Sequence, residues 1–89
     1  MIEQQVPIIN KLGLHARAAA KFVTLASSFT AEVMVKRNGR EVNGKSIMGV
    51  MTLAAARGTD IIITTEGDDE QQAMAALVGL INNRFEEDE

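Results

Sequence analysis

His15 is the residue of this chain best suited to chemistry. It is the only histidine among 89 residues; Gly13 precedes it by two positions and Arg17 follows by two. A neutral imidazole is a nucleophile near physiological pH. Helical periodicity begins at Ala16, so His15 sits just before a helix N-terminus, where unbonded backbone amides and a partial positive charge suit an anion. Arginine presents a planar fork that matches phosphate or carboxylate. Together the three features read as a histidine that accepts a phosphoryl group and holds it over a helix start. A lone histidine is more often an ordinary surface or core side chain. The position of Arg17 argues against that here. A cation in the first helical turn opposes the helix dipole, and an anion bound between the two removes the conflict.

A second cluster lies at Asn43-Gly44-Lys45-Ser46. Ser46 is a good N-cap residue and opens a short helix from Ile47 to about Ala55. Val50 and Leu53 are three apart and can both face a core. Ile47, Met48 and Met51 cannot all share that face. Either the methionines fill core gaps, or these residues form an exposed, adaptable apolar patch of the kind that binds partners. Spacing alone leaves both readings open.

The elements that must position these residues are legible in the periodicity. Residues 2–9 alternate, with Ile2, Val6 and Ile8 on one face and Gln4 as the exception. Pro7 on the other face marks an edge strand. Asn10-Lys11-Leu12-Gly13 is a loop. From Ala16 to Ser28 the apolar positions Ala19, Phe22, Val23 and Ala26 follow helical spacing, with Phe29 beyond them, and the four alanines at 16, 18, 19 and 20 favour helix. Ala20 lies off this stripe, toward solvent. Residues 31–37 alternate again, with Ala31, Val33 and Val35 inward. Asn38-Gly39 is a hairpin signal, and Arg40–Asn43 is the short, charged returning strand. Arg57-Gly58 is the expected end of the Ser46-capped helix. Asp60–Glu66 is a β-branched strand. Asp68 is expected to cap a last helix, with Gln71 completing a capping box; its stripe is Met74, Leu77, Val78 and Ile81, flanked by Ala73 and Leu80. The tail Glu86-Glu87-Asp88-Glu89 reads as solvated and frayed, because negative charge opposes the dipole at a helix C-terminus. The order is β-α-β-β-α-β-α: an α+β fold in which three helices cover one face of a four-stranded, mostly antiparallel sheet.

Composition narrows the function. The length suits one domain, residues 1–89, with one modest core. Three Phe and no Trp or Tyr argue against a base-stacking platform, and a formal net charge of −3 argues against a nucleic-acid partner. No cysteine and a single histidine make a metal site improbable. No apolar run approaches the roughly 20 residues of a membrane span, so no membrane insertion is expected. Met1-Ile2-Glu3-Gln4-Gln5 lacks the basic and apolar regions of a signal peptide. A cytoplasmic location is the expectation.

Two motifs closely resemble those of the HPr family, the histidine-containing phosphocarriers of the bacterial phosphoenolpyruvate:sugar phosphotransferase system. One is Gly13-Leu14-His15-Ala16-Arg17. The other is Asn43-Gly44-Lys45-Ser46-Ile47-Met48-Gly49-Val50-Met51. The resemblance covers essentially the whole chain and implies the open-faced β-sandwich of that family. It implies that His15 takes a phosphoryl group from phospho-enzyme I through Nδ1 and passes it to an enzyme IIA component, with no cofactor. The chain would then be a carrier, not an enzyme in its own right, with partner enzymes catalysing the transfers. Arg17 would pair with the phosphoryl oxygens, and the backbone amides of Ala16 and Ala18 would add donors. Ser46 matches a regulatory site phosphorylated by HPr kinase/phosphorylase in bacteria that possess it. Ala20, Ile47, Met48, Met51 and Thr52 match positions that face partner proteins. A monomer is expected, since the patch around Met48 is too small for an obligate dimer. The chain also departs from the family. Ala18 stands where most members have proline; alanine still favours helix and restores one amide donor. Thr24 and Ser27 stand where some members carry lysine, leaving only Lys21 in that helix. A paralogue serving a nitrogen-related regulatory branch is the alternative reading.

Overall fold

A computed structural model describes residues 1–88. The strands and helices are β1 (Ile2–Pro7), α1 (Ala16–Ser27), β2 (Glu32–Arg37), β3 (Arg40–Asn43), α2 (Ile47–Thr52), β4 (Asp60–Glu66) and α3 (Glu70–Asn82), followed by a tight turn at Arg84–Glu86. The four strands form one antiparallel sheet in the order β1-β4-β2-β3. Register places Val6 opposite Ile61 and Val35 opposite Ile63. These residues, with Val33, point to one face and are buried there. Gln5, Ile62, Lys36 and Glu41 form a row across the other, open face. α3 packs on β4 and β1, α2 on β3, and α1 on both α2 and α3. The result is the open-faced sandwich expected from the periodicity.

The hairpin forms as its sequence dictates. Asn38 and Gly39 have φ of 52° and 80°, the paired left-handed conformation of a type I′ turn. β1 is an edge strand and stops at Pro7, two residues before the alternation does. Ile8 stays tied in: its amide donates to Thr59 O, and its carbonyl accepts from the Gly58 amide, both at 2.8 Å. In α1, Ala19, Phe22, Val23 and Ala26 are buried as expected, and Ala18 joins them.

Two boundaries depart from expectation. α2 ends at Thr52 instead of running to about Ala55, so Gly58 does not terminate it. The chain turns at Ala54, with φ 49°, and Ala55 leaves the helical course. Its carbonyl accepts from the Leu14 amide at 2.9 Å, and its side chain is buried. The Arg37 guanidinium donates to the Leu53 carbonyl at 2.9 Å, placing a cation at the negative helix end.

At α3, Asp68 and Gln71 form no capping box. Asp69 is the residue before the helix, and its carboxylate accepts from the Thr30 and Ala31 amides at 2.9 and 2.8 Å. Glu70 reaches back to accept from the Gly67 amide at 3.1 Å. The Asp69 carboxylate therefore serves the α1–β2 connection and makes no bond to the amides of its own helix.

These bonds favour ionised carboxylates. The Thr30 amide, with that of Ala31, holds Asp69 below its ordinary value against some desolvation. The Gly67 amide and the N-terminal ammonium do the same for Glu70. A lowered folded-state value means stabilisation that is present above the unfolded carboxylate range, near pH 4, and lost as pH falls through the folded value. Asp69→Ala should therefore lower the melting temperature at neutral pH. Its deficit relative to the parent should shrink below about pH 4. Thermal melts across pH check both, and a deficit independent of pH would assign Asp69 a role other than its charge.

Candidate functional site

The loop before α1 is pinned from both sides. Gly13 has φ 66°, and a Cβ there would lie 2.5 Å from the Ala55 carbonyl oxygen. Only glycine meets both conditions. The approach lets Leu14 bond to Ala55 O and bury its side chain. Asn10, fully buried, donates through Nδ2 to the Gly13 carbonyl at 2.8 Å. His15 follows at once as the N-cap of α1, with extended backbone and no side-chain hydrogen bond to the helix. Its carbonyl accepts the first helical bond, from Ala19, at 2.8 Å. The amides of Ala16, Arg17 and Ala18 precede that bond, as at any helix start.

His15, Ala16 and Arg17 line one surface depression together with Lys11, Leu12 and Glu87. Among the described residues the Arg17 guanidinium makes no hydrogen bond or ion pair. A free planar fork beside a half-exposed imidazole can receive a dianion. Ala18 is buried and offers only backbone. Ala20 is half-buried and lies with Arg17 and Lys21 along a neighbouring depression.

The second cluster stays separate from this depression. Ser46 is the N-cap of α2, and its Oγ accepts from the Gly49 amide at 3.1 Å. Asn43 earns its place structurally: its Oδ1 accepts from the Lys45 amide at 2.8 Å, setting the turn into the cap. Lys45 Nζ donates to Phe29 O at 2.8 Å. Ile47, Met48 and Met51 are exposed, Met48 by 74%, so the methionines are not core filler. Thr52 is exposed beside them. Since α2 packs on α1, this apolar patch adjoins the helix that His15 begins.

The tail corrects the sequence reading. Glu86-Glu87-Asp88 was expected to be solvated and frayed; Glu89 lies outside the described residues. Glu86 and Asp88 are exposed as expected, but Phe85 before them is fully buried, and Glu87 folds over the site. Glu87 Oε2 lies 2.5 Å from His15 Nε2, and Oε1 accepts from Asn10 Nδ2 at 3.1 Å. Lys21 Nζ donates to Phe85 O at 2.8 Å and lies 3.5 Å from Glu86 Oε1. Arg84, Phe85 and Glu86 all adopt positive φ, 54°, 54° and 66°. This left-handed turn costs an L-residue roughly 1–2 kcal/mol per position. Burying a phenylalanine contributes roughly 1.5–3 kcal/mol in the other direction, and the Lys21, Asn10 and His15 bonds add to it. Charge alone made the tail look solvated. Phe85, one of three aromatics in the chain, was the contrary signal.

Burial works against ionisation of Glu87, but the hydrogen bonds from His15 and Asn10 and the nearby His15 and Lys21 charges outweigh it. The carboxyl is held below its ordinary value. The contact is therefore made at neutral pH and given up in acid, as the pH falls through that lowered value.

Comparison with known proteins agrees on the family. Residues 2–83 match the family model described as the phosphotransferase-system HPr component phosphorylation site. The phosphocarrier protein HPr of Neisseria meningitidis serogroup A is 58% identical over 89 residues, all of both chains. The crystal structure of HPr-C-His from Thermoanaerobacter tengcongensis superposes with a TM-score of 0.96 at 46% identity, covering all of both chains. An HPr dimer from the same organism matches at TM-score 0.79 and 47% identity, over 98% of this chain and 100% of that one.

Proposed function

The chain belongs to the HPr family of phosphotransferase-system phosphocarriers, and we propose that it accepts a phosphoryl group from phospho-enzyme I on His15 and passes it to an enzyme IIA component. The observation that carries this is the pairing of a half-exposed N-cap imidazole with the unpaired Arg17 guanidinium in one depression. His15 Nδ1 is the nucleophile; its other nitrogen is the one engaged by Glu87. Attack on phosphorus forms the N–P bond and releases the donor's side chain. Arg17 and the amides of Ala16 and Ala18 then balance the phosphoryl charge. The chain is a carrier whose transfers are catalysed with its partners, in the cytoplasm. Among the described residues no helix is long and apolar enough to cross a membrane.

His15→Ala should abolish phosphoenolpyruvate- and enzyme I-dependent labelling without unfolding the protein, because among the described residues the imidazole bonds only to Glu87. The label on the parent should be acid-labile and base-stable, as a phosphoramidate is. Arg17→Lys keeps the charge but loses the bidentate geometry. It should slow transfer by on the order of tenfold, equivalent to about 1.4 kcal/mol, with the melting temperature unchanged. Labelling that persists in His15→Ala defeats the carrier reading.

Ala20, Ile47, Met48, Met51 and Thr52 form the partner-facing surface in this reading, and Ser46 regulates it. A phosphate on Ser46 adds about −1.5 to −2 charges at the positive end of α2. It sits beside the exposed Ile47, Met48 and Met51, where a docking partner meets a desolvation cost and repulsion. Ser46→Asp should keep or slightly raise stability and weaken acceptance from enzyme I through KM more than through kcat. Unimpaired labelling at low protein concentration would remove Met48 from the docking surface.

The carrier acts as a monomer, which leaves this surface open to successive partners. Sedimentation at micromolar concentration should give the monomer mass; a tight dimer there would contradict it.

A further inference from the structure

Glu87 is placed with more care than a surface carboxylate needs. Three consecutive residues hold left-handed backbone to deliver it. Phe85 anchors the turn in the core, and Lys21 ties down the Phe85 carbonyl. The carboxylate is then gripped at both oxygens. Asn10, which also bonds the Gly13 carbonyl in the loop before His15, holds Oε1. Oε2 meets His15 Nε2. The side chain is only 16% exposed, and that of His15 27%. One buried amide thus fixes both the histidine loop and the group that contacts the histidine.

A carboxylate can only accept a hydrogen bond, so the proton between the two groups belongs to Nε2. That leaves Nδ1 as the nitrogen with a lone pair. We propose that Glu87 is a positioning residue for phosphoryl transfer at His15: it keeps the ring proton on Nε2, aims Nδ1 outward, and offsets the positive charge the ring gains when Nδ1 is phosphorylated. This rests on the carrier reading above. In the step, the Nδ1 lone pair forms the N–P bond. The bond from phosphorus to the donor breaks, and its electron pair leaves with the donor. The Nε2 proton stays, so the ring becomes a phosphorylated imidazolium. Glu87 faces that charge from across the ring, away from the phosphoryl oxygens. On donation to the next partner the N–P electron pair returns to Nδ1 and the ring is neutral again. The logic is that of a carboxylate orienting a catalytic histidine, which fixes the tautomer and steadies the imidazolium without itself taking the proton.

The test compares the parent with Glu87→Ala, Glu87→Gln and Glu87→Asp, each as the full chain with Phe85 intact. In the unphosphorylated protein, nitrogen-15 spectra of His15, recorded where the ring is neutral, should show a slowly exchanging Nε2 proton. That signal should be lost to exchange in Glu87→Ala. In enzyme I-dependent transfer, Glu87→Ala and Glu87→Gln should each lower kcat about tenfold with KM for enzyme I unchanged, and Glu87→Asp should recover part of the loss. If the parent is labelled on His15 and the Ala and Gln variants transfer at its rate or faster, the proposal is overturned, and Glu87 is at most a cover over the site. A parent that takes no label removes the carrier reading and this proposal with it. Loss of the Nε2 proton signal without any change in kcat restricts Glu87 to a structural contact and also overturns the proposal.

Discussion

Everything in this molecule answers to one constraint: the sheet has a single apolar face. Val6, Val33, Val35, Ile61 and Ile63 present a surface that water disfavours, and three helices must cover it. A β-α-β-β-α-β-α chain with short connections can lay all three helices on that one side. Covering it brings α1 and α2 together and sets the connection before α1 against Ala55. The chemistry sits on that connection. Gly13 touches the Ala55 carbonyl, Leu14 bonds to it, and His15 has nowhere to be except the start of α1. The proposed phosphoryl site is thus a consequence of how the core closes.

Electrostatics act on a smaller scale. A chain with a net charge of −3 gathers Lys11, Arg17 and Lys21 along the histidine end of α1. Lys21 is occupied by the tail, while the Arg17 fork has no partner among the described residues. The helix start contributes amides, and its first turn carries no acidic side chain to repel an anion. Distribution, more than total charge, decides what the site attracts.

Much of this was legible in the residues. Periods of two and 3.6 located β1, β2, β4, α1 and α3, because each has one buried face; the Asn38-Gly39 turn placed β3 and the Ser46 cap placed α2. The histidine, the arginine and the Ser46 cap were legible because their chemistry is local. What was not legible depended on contacts between distant residues. α2 ends early because Ala55 O is wanted by Leu14, about 40 residues away. Asp69 is spent on Thr30 and Ala31 rather than on a capping box. Glu87 reaches His15 across 72 residues of sequence. No local pattern announces a pairing of that span, and a run of acids reads as solvated until its neighbours are known. The exposure of Met48 was undecidable for a related reason: α2 is too short for its periodicity to separate one face from another.

The sheet's free edges bear on how such a molecule can meet others at all. β1 ends in Pro7, which has no amide to offer, and β3 is four residues long and carries Arg40 and Glu41. Neither is a good template for a further strand. Recognition by main-chain pairing, which any extended segment could exploit, is discouraged at both sides. Contact is left to side chains on the helical layer, where shape and charge discriminate between callers. Encounters of that kind can be selective and still brief, since no ladder of backbone bonds has to be unzipped for the two surfaces to part.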